Sequence, residues 1–224
     1  MTSPGRRRGV IDKAHPAVAV ARERVMSIVD LVPPVELVRA IKLAPSLRGM
    51  ILGYLAEVFF EKSIASLEGV GNIMKHDDHD RTKNKSDRSF DCSGRRYTVQ
   101  VKSIQTNSLG YNTQTGSIEA DVQNDASDKR AVKIPGSKKS VTTTCYLRDE
   151  YDILAVPLFP FTGEWNFAYL RNKDCRSTTS EKYPKDVRPW LLATTERLAY
   201  PLEGAWTTDL VGLLKAHPRL GRTL

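Results

Sequence analysis

Residues 87–102, DRSFDCSGRRYTVQVK, read as a β-hairpin, and this element restricts what the rest of the chain can build. DRSFDC and YTVQVK are its arms, with Ser-Gly-Arg between them as turn punctuation. A two-residue turn centred on Ser93-Gly94 puts glycine where φ must be positive. The register follows: Phe90 opposite Tyr97, Arg88 opposite Val99, Asp87 opposite Gln100. Side chains alternate along a strand, so Asp87, Gln100 and Lys102 share a face while Val99 and Val101 point the other way. A carboxylate, a carboxamide and an amine therefore gather at one end of the hairpin. Asp91 lies on the same face, but this register pairs it with Arg96 at the tip, about 13 Å from Asp87 at ~3.3 Å per residue.

That grouping suits phosphodiester hydrolysis. Asp87 and the side-chain carbonyl of Gln100 are the oxygen ligands a hard divalent cation takes, and such a cation acidifies water and stabilises a leaving oxygen. Lys102 beside it can orient the attacking water and balance charge on the phosphate. The pattern Asp87-x(12)-Gln100-x-Lys102 resembles the PD-(D/E)XK nuclease superfamily, which includes most type II restriction endonucleases. Two departures stand out: Ser86 precedes the aspartate in place of proline, and Gln100 replaces an acidic residue, removing one negative charge from the metal site. The same pattern also describes an amphipathic surface hairpin with a solvated lysine.

Upstream, Pro16 opens a helix carrying Val18, Ala21, Val25, Ile28 and Val29 at helical spacing. A second helix follows Pro33-Pro34, with Val35, Val38 and Ile41 on one side. A third is expected from Leu47 to about Leu67, with Leu47, Ile51, Leu55 and Val58 as its core stripe. Glu57 lies in an adjacent stripe with Met50, Tyr54, Glu61 and Ile64, where a carboxylate needs a partner or a role. GYLAEVFFEKSIASL, residues 53–67, resembles the superfamily helix that precedes the catalytic hairpin and often completes the metal site. The resemblance thus implies a metal set of Asp87, Gln100, Glu57 and the Val101 main-chain carbonyl. The implied cofactor is Mg²⁺, with Mn²⁺ as a substitute.

The net charge of +8 makes a polyanion the expected partner, nucleic acid first. Candidate DNA contacts fall in three stretches. Lys83 and Lys85 precede the hairpin. Ser103, Gln105 and Asn107 (with Asn112 further on) lie in the polar loop after Lys102, and such side chains read base edges. Lys129, Arg130, Lys133, Lys138 and Lys139 form the densest basic stretch. The cluster His76, Asp77, Asp78, His79 and Asp80 matches no usual zinc spacing. Residues 1–14, with Arg6, Arg7 and Arg8, are expected to be a disordered basic arm, and residues 15–224 a single nuclease domain.

Later, YDILAVPLF reads as a buried strand, turned by Phe161-Thr-Gly-Glu into a partner from Trp165 to Leu170. Helices are expected at about Trp190 to Leu198 and from Thr208 to His217. The fold class is therefore α/β of the α+β type: a mixed central sheet containing the hairpin, flanked by helices, in the restriction endonuclease-like manner. TVQVKSIQT, DASDKR and YDILAVPLF, in that order, are similar to a group of bacterial proteins regarded as restriction endonucleases of this superfamily, over roughly residues 50–170. The resemblance implies Mg²⁺-dependent cleavage of double-stranded DNA by a homodimer, because two strands need two active sites. Three widely spaced cysteines point to a reducing cytoplasm, and neither a secretory leader nor a run of ~18 apolar residues is present. The alternatives are a Holliday-junction resolvase or repair nuclease with the same chemistry, a DNA-binding protein without catalysis, and an unrelated α+β protein.

Overall fold

The computed structural model describes residues 16–76, 86–104, 106–136, 138–217 and 220–223; the expected basic arm lies outside them. The chain divides into two compact units, one up to Arg48 and one from Gly49. The first unit holds helices α1 (Pro16–Met26), α2 (Ile28–Leu31) and α3 (Pro34–Leu43). Pro33 caps α3 and Pro34 is its first residue, a position where a missing N–H costs nothing. Val35 and Val38, the expected apolar face of α3, are exposed. Helix α4 (Pro45–Ala65) starts in this unit and continues into the second.

The second unit contains β1 (Val70–Lys75), β2 (Arg88–Cys92), β3 (Arg95–Val101), β4 (Gly110–Asn112), β5 (Ser117–Gln123), β6 (Asp125–Lys133), β7 (Ser140–Cys145), β8 (Ile153–Pro157), the short α5 (Phe159–Thr162), β9 (Phe167–Arg171), β10 (Thr195–Tyr200), α6 (Leu210–Ala216) and β11 (Arg222–Thr223). The main sheet runs β1-β2-β3-β8-β9, with β11 also on β3. It is mixed: β2 and β9 are antiparallel to their neighbours, and β3 and β8 are parallel. Every residue of β8 is buried, as its continuous apolar run requires. Among the described residues no single helix is long and apolar enough to cross a membrane.

Alternation along the strands gives the sheet two cores. Phe90, Tyr97, Val99, Val101, Ile153, Ala155, Phe167 and Tyr169 pack with Ala56, Phe60 and Ile64 of α4 and Leu210 and Leu214 of α6. On the opposite face Leu154, Val156, Ala168 and Leu170 meet Ala120 and Val122 of β5, Tyr146, Tyr151, Leu192 and Leu198. The buried stripe of α4 is thus Ala56-Phe60-Ile64, and Leu55 and Val58 of the expected stripe are exposed. Both stripes have helical spacing; Phe60 wins because its ring fills the space beside Phe167 and Tyr169.

Two further expectations give way. Residues 190–198 form a 3₁₀ turn (Arg188–Trp190) and then β10, not a helix. Six residues of β10 pair antiparallel with β5, and β-branched Thr194 and Thr195 already disfavour a helix there. Residues 103–140 are largely strand rather than polar loop: β4 and β5 join β10 in a second sheet, and β6 pairs with β7 in a two-stranded ribbon.

Candidate active site

The hairpin has the expected register, with Arg88 opposite Val99, Phe90 opposite Tyr97 and Asp91 opposite Arg96. Ser93 and Gly94 both take positive φ, 50° and 73°, the turn geometry that matches strand twist. Asp87 stands just before β2, where its N–H donates to Val99 O at 3.1 Å. Its Oδ2 accepts from Gln100 Nε2 at 2.6 Å and from the Val101 N–H at 2.9 Å. A side chain thus continues the ladder where the β2 backbone leaves it.

A carboxylate closing a ladder is not in itself a site. Asp152, before β8, accepts from the Thr98 N–H at 2.8 Å and Oγ1 at 2.7 Å, and that clasp is structural. What sets the Asp87 end apart is Gln100. It is 2% exposed, and its buried Oε1 accepts no hydrogen bond among the described residues. Such an oxygen costs roughly 1–3 kcal/mol and calls for an occupant.

Lys102 leaves β3 with its N–H donating to Ala155 O at 3.0 Å. Its Nζ lies 3.2 Å from Asp125 O and 5.5 Å from the centre of the Tyr146 ring. The Arg130 guanidinium also lies over that ring, at 5.3 Å, and forms two bonds to Glu150, at 2.8 and 2.7 Å. Burial pushes the Tyr146 phenol far above its ordinary range, and the charge of Asp87 pushes it further. Tyr146 therefore stays neutral, close enough to Asp87 to feel its field. Tyr146, Asp125 and the Arg130–Glu150 pair form a wall beside Lys102, of which only Arg130 was expected, and as a DNA contact. They lie 23 or more positions beyond Lys102, and only the density of charge in DASDKR and LRDEYD hinted at them.

Glu57 stands on the other side of the hairpin. The alternation that sends Asp87 and Gln100 one way sends Arg88 toward α4. Arg88 is 3% exposed, with its Nη1 3.0 Å from Glu57 Oε2 and its Nε 3.6 Å from Glu61 Oε2; Lys75 adds a contact to Glu57 at 4.0 Å. Glu57 thus meets the neighbour of Asp87. Among the described residues no three His, Cys, Asp or Glu side chains are grouped to hold a metal ion. The oxygen donors at this end are Asp87, Gln100 and the main chain.

Of the candidate DNA contacts, Lys83, Lys85 and Gln105 lie outside the described residues, as do residues 77–80 of the His/Asp cluster. Ser103 is half-buried beside Lys102, and Asn107 is exposed in a 3₁₀ turn. Asn112 is spent locally: its Oδ1 accepts from the N–H groups of Gln114 and Thr115, and its Nδ2 donates to Glu119. Lys129, Lys133 and Lys138 are exposed. Lys139 is paired with Asp186 at 2.5 Å, and Arg130 is turned inward on Glu150.

No protein-family model matches the chain, and no curated protein matches it. Among solved structures it is similar to a bacterial homing endonuclease, I-Ssp6803I, at 17% identity, covering 66% of this chain and 88% of that one with a TM-score of 0.31.

Proposed function

We propose that the chain is a metal-dependent DNA endonuclease of the PD-(D/E)XK kind, cutting double-stranded DNA at a specific sequence as type II restriction enzymes do. The observation that carries this reading is the Oε1 of Gln100, buried beside Asp87 with no partner among the described residues, one alternation from Lys102. The donors fit a hard cation such as Mg²⁺: Asp87, Gln100 Oε1 and the Val101 carbonyl are all oxygens. Bound there, the cation would lower the pKa of a water and offset charge on the scissile phosphate. One carboxylate is a light charge for such a site. Glu57, held by Arg88 on the opposite face of the hairpin, does not supply a second one in this arrangement.

The protein groups have distinct parts. Asp87 holds Gln100 and the end of β3 in register, so the amide is already oriented. Lys102 carries a positive charge on a main chain fixed by Ala155. Its amine rests against Asp125 O and the Tyr146 ring, contacts that a phosphate oxygen can replace with a charge-assisted bond. The apolar Tyr146 ring limits water on that side, which strengthens the charge interactions. Two strands need two such sites, so a homodimer belongs to the same proposal.

The deciding experiment is digestion of phage-sized DNA by the purified protein in Mg²⁺, with the ends sequenced. Discrete fragments with a common end sequence support the reading. Cleavage of four-way junctions alone would replace it with a resolvase, and salt-sensitive binding without cleavage would replace it with a non-catalytic DNA-binding protein.

A further inference from the structure

We propose that the outer face of the β6–β7 ribbon enters the major groove of duplex DNA, with Ala131 and Thr142 against base edges and Lys129, Lys133 and Lys138 on the flanking phosphates. The inference rests on the nuclease reading and adds to it the surface that reads sequence.

The ribbon's register assigns its faces. Ala131 is directly opposite Thr142, and Lys133 opposite Ser140, whereas Arg130 faces Thr143 and Val132 faces Val141. Opposed residues share a face. Ala131, Thr142, Lys133 and Ser140 are exposed, while Val132 and Thr143 are buried. The inner face is fastened at several points. Val132 and Ile134 enter a core with Tyr183, Val187 and Leu191, Thr143 Oγ1 meets the Tyr183 hydroxyl at 2.6 Å, and Arg130 grips Glu150. A ribbon held in this way presents its outer face in a fixed shape, so ordering it on DNA costs little.

The chemistry of that face matches DNA. From Lys129 to Thr144 the ribbon contains no Asp or Glu, its acidic residues Asp125 and Asp128 lying at the start of β6, whereas the solvent face of an ordinary ribbon mixes signs along its length. The Ala131 methyl suits a thymine methyl, and the Thr142 hydroxyl can donate to or accept from a base edge. Ser140 is the weaker reader, since its Oγ already donates back to Val132 O at 3.1 Å and keeps only its lone pairs for a base. Two strands roughly 4.8 Å apart fit a major groove about 12 Å wide, and two-stranded ribbons are an established way of reading it.

The ribbon also begins at the site, because the Asp125 carbonyl that meets Lys102 Nζ is the first residue of β6. From there to Ala131 is at most about 20 Å at ~3.3 Å per residue. The bases read should then lie within about six base pairs of the cut, at ~3.4 Å of rise each.

The test uses the full chain in Ca²⁺ with a duplex library randomised over twelve positions, the bound pool being sequenced, and with a salt titration on one duplex. Wild type should enrich a motif. Thr142→Val, which keeps the shape of an exposed residue, should lower the preference at one base position about tenfold and leave total affinity within about threefold. Lys133→Ala and Lys138→Ala should weaken binding to all sequences alike, each flattening the log–log salt slope by about 0.9. A motif indifferent to Thr142 with a slope indifferent to both lysines overturns the ribbon inference and leaves the nuclease reading standing. Binding without any motif also overturns it. No DNA binding by wild type overturns both.

Discussion

The two ends of one hairpin carry the same kind of side chain and treat it differently. At the tip, Asp91 accepts from Arg96 Nε at 2.7 Å and Nη2 at 2.9 Å, and from Asn72 Nδ2 at 2.7 Å. A guanidinium fork and an amide match a carboxylate's geometry and charge, and that arrangement is finished. At the other end, Asp87 accepts from a carboxamide and a main-chain N–H, and the carboxamide's own oxygen is buried with no donor among the described residues. A finished pair needs nothing more to be stable. A carboxamide oxygen held unsatisfied beside a carboxylate is stable only as far as the fold around it can bear, and it improves when an electron-poor centre arrives. That difference, and not the mere presence of an aspartate, is why the Asp87 end and not the tip is proposed as the site.

Charge removal at the two aspartates gives the widest contrast. Asp87→Asn should lower Mg²⁺-dependent cleavage by about a thousandfold or more, the scale of losing a group that acts on developing charge. Lys102→Ala should do the same while DNA binding without metal stays within a few-fold, if its amine acts at the reacting phosphate as proposed. Single-turnover rates beside a binding titration measure both. Near-normal cleavage by either variant would leave the two ends equivalent.

Metal exchange probes the comparison without mutation. Ca²⁺ takes the same oxygen donors in looser geometry and acidifies water less. It should support binding and stop cleavage, read from a gel-shift and a digest in the same buffer. Cleavage in EDTA would remove the cation from the reading altogether.

The hairpin was legible because its determinants are local. A Ser-Gly turn and strict alternation leave one register, and that register places Asp87, Gln100, Asp91 and Arg96. The buried strand at 153–157 was legible for the same reason: an unbroken apolar run needs cover on both faces. The stripe of α4 was not. Leu55-Val58 and Ala56-Phe60-Ile64 both obey helical spacing, and only the aromatic partners on β9 choose between them. The strands after Lys102 were also hidden, since β5 is stabilised by β10 some 80 positions later and its polar, Thr- and Gln-rich approach reads as loop. Tyr146 joined the site through the same long-range packing.

Gln100→Glu sharpens the comparison through stability instead of rate. It puts a second carboxylate 2.6 Å from Asp87, where Gln100 Nε2 now donates. Two like charges in a position 2% exposed should lower metal-free stability by roughly 1–3 kcal/mol, with one carboxyl taking up a proton at neutral pH. Mg²⁺ should restore most of that loss, since a ligand that binds only the folded state stabilises it. Thermal unfolding with and without Mg²⁺ measures the restoration, which should exceed that of wild type. An equal response in both proteins would mean that Gln100 does not face a cation.

The smallest effect is expected at the tip. Four residues of strand separate Asp91 from Asp87, about 13 Å at ~3.3 Å each, and no carboxylate reaches an ion across that gap when Mg–O distances are about 2.1 Å. Asp91→Asn keeps an oxygen for one Arg96 donor, so cleavage should remain within about threefold of wild type. Its signature should appear in acid. The Arg96 hydrogen bond holds the Asp91 carboxyl below its ordinary value of 3.8, against the opposing effect of burial. A carboxyl with a lowered folded pKa contributes stability that is fully present above the unfolded value and is lost as pH falls through the folded one. Asp91→Asn removes that contribution, so wild type should be the more stable above pH 3.8, with the gap closing as pH falls further below it. Denaturant midpoints at pH 6 and pH 3, beside cleavage rates at neutral pH, give both readouts. A large loss of cleavage in a folded Asp91→Asn protein would move the working end of the hairpin to its tip.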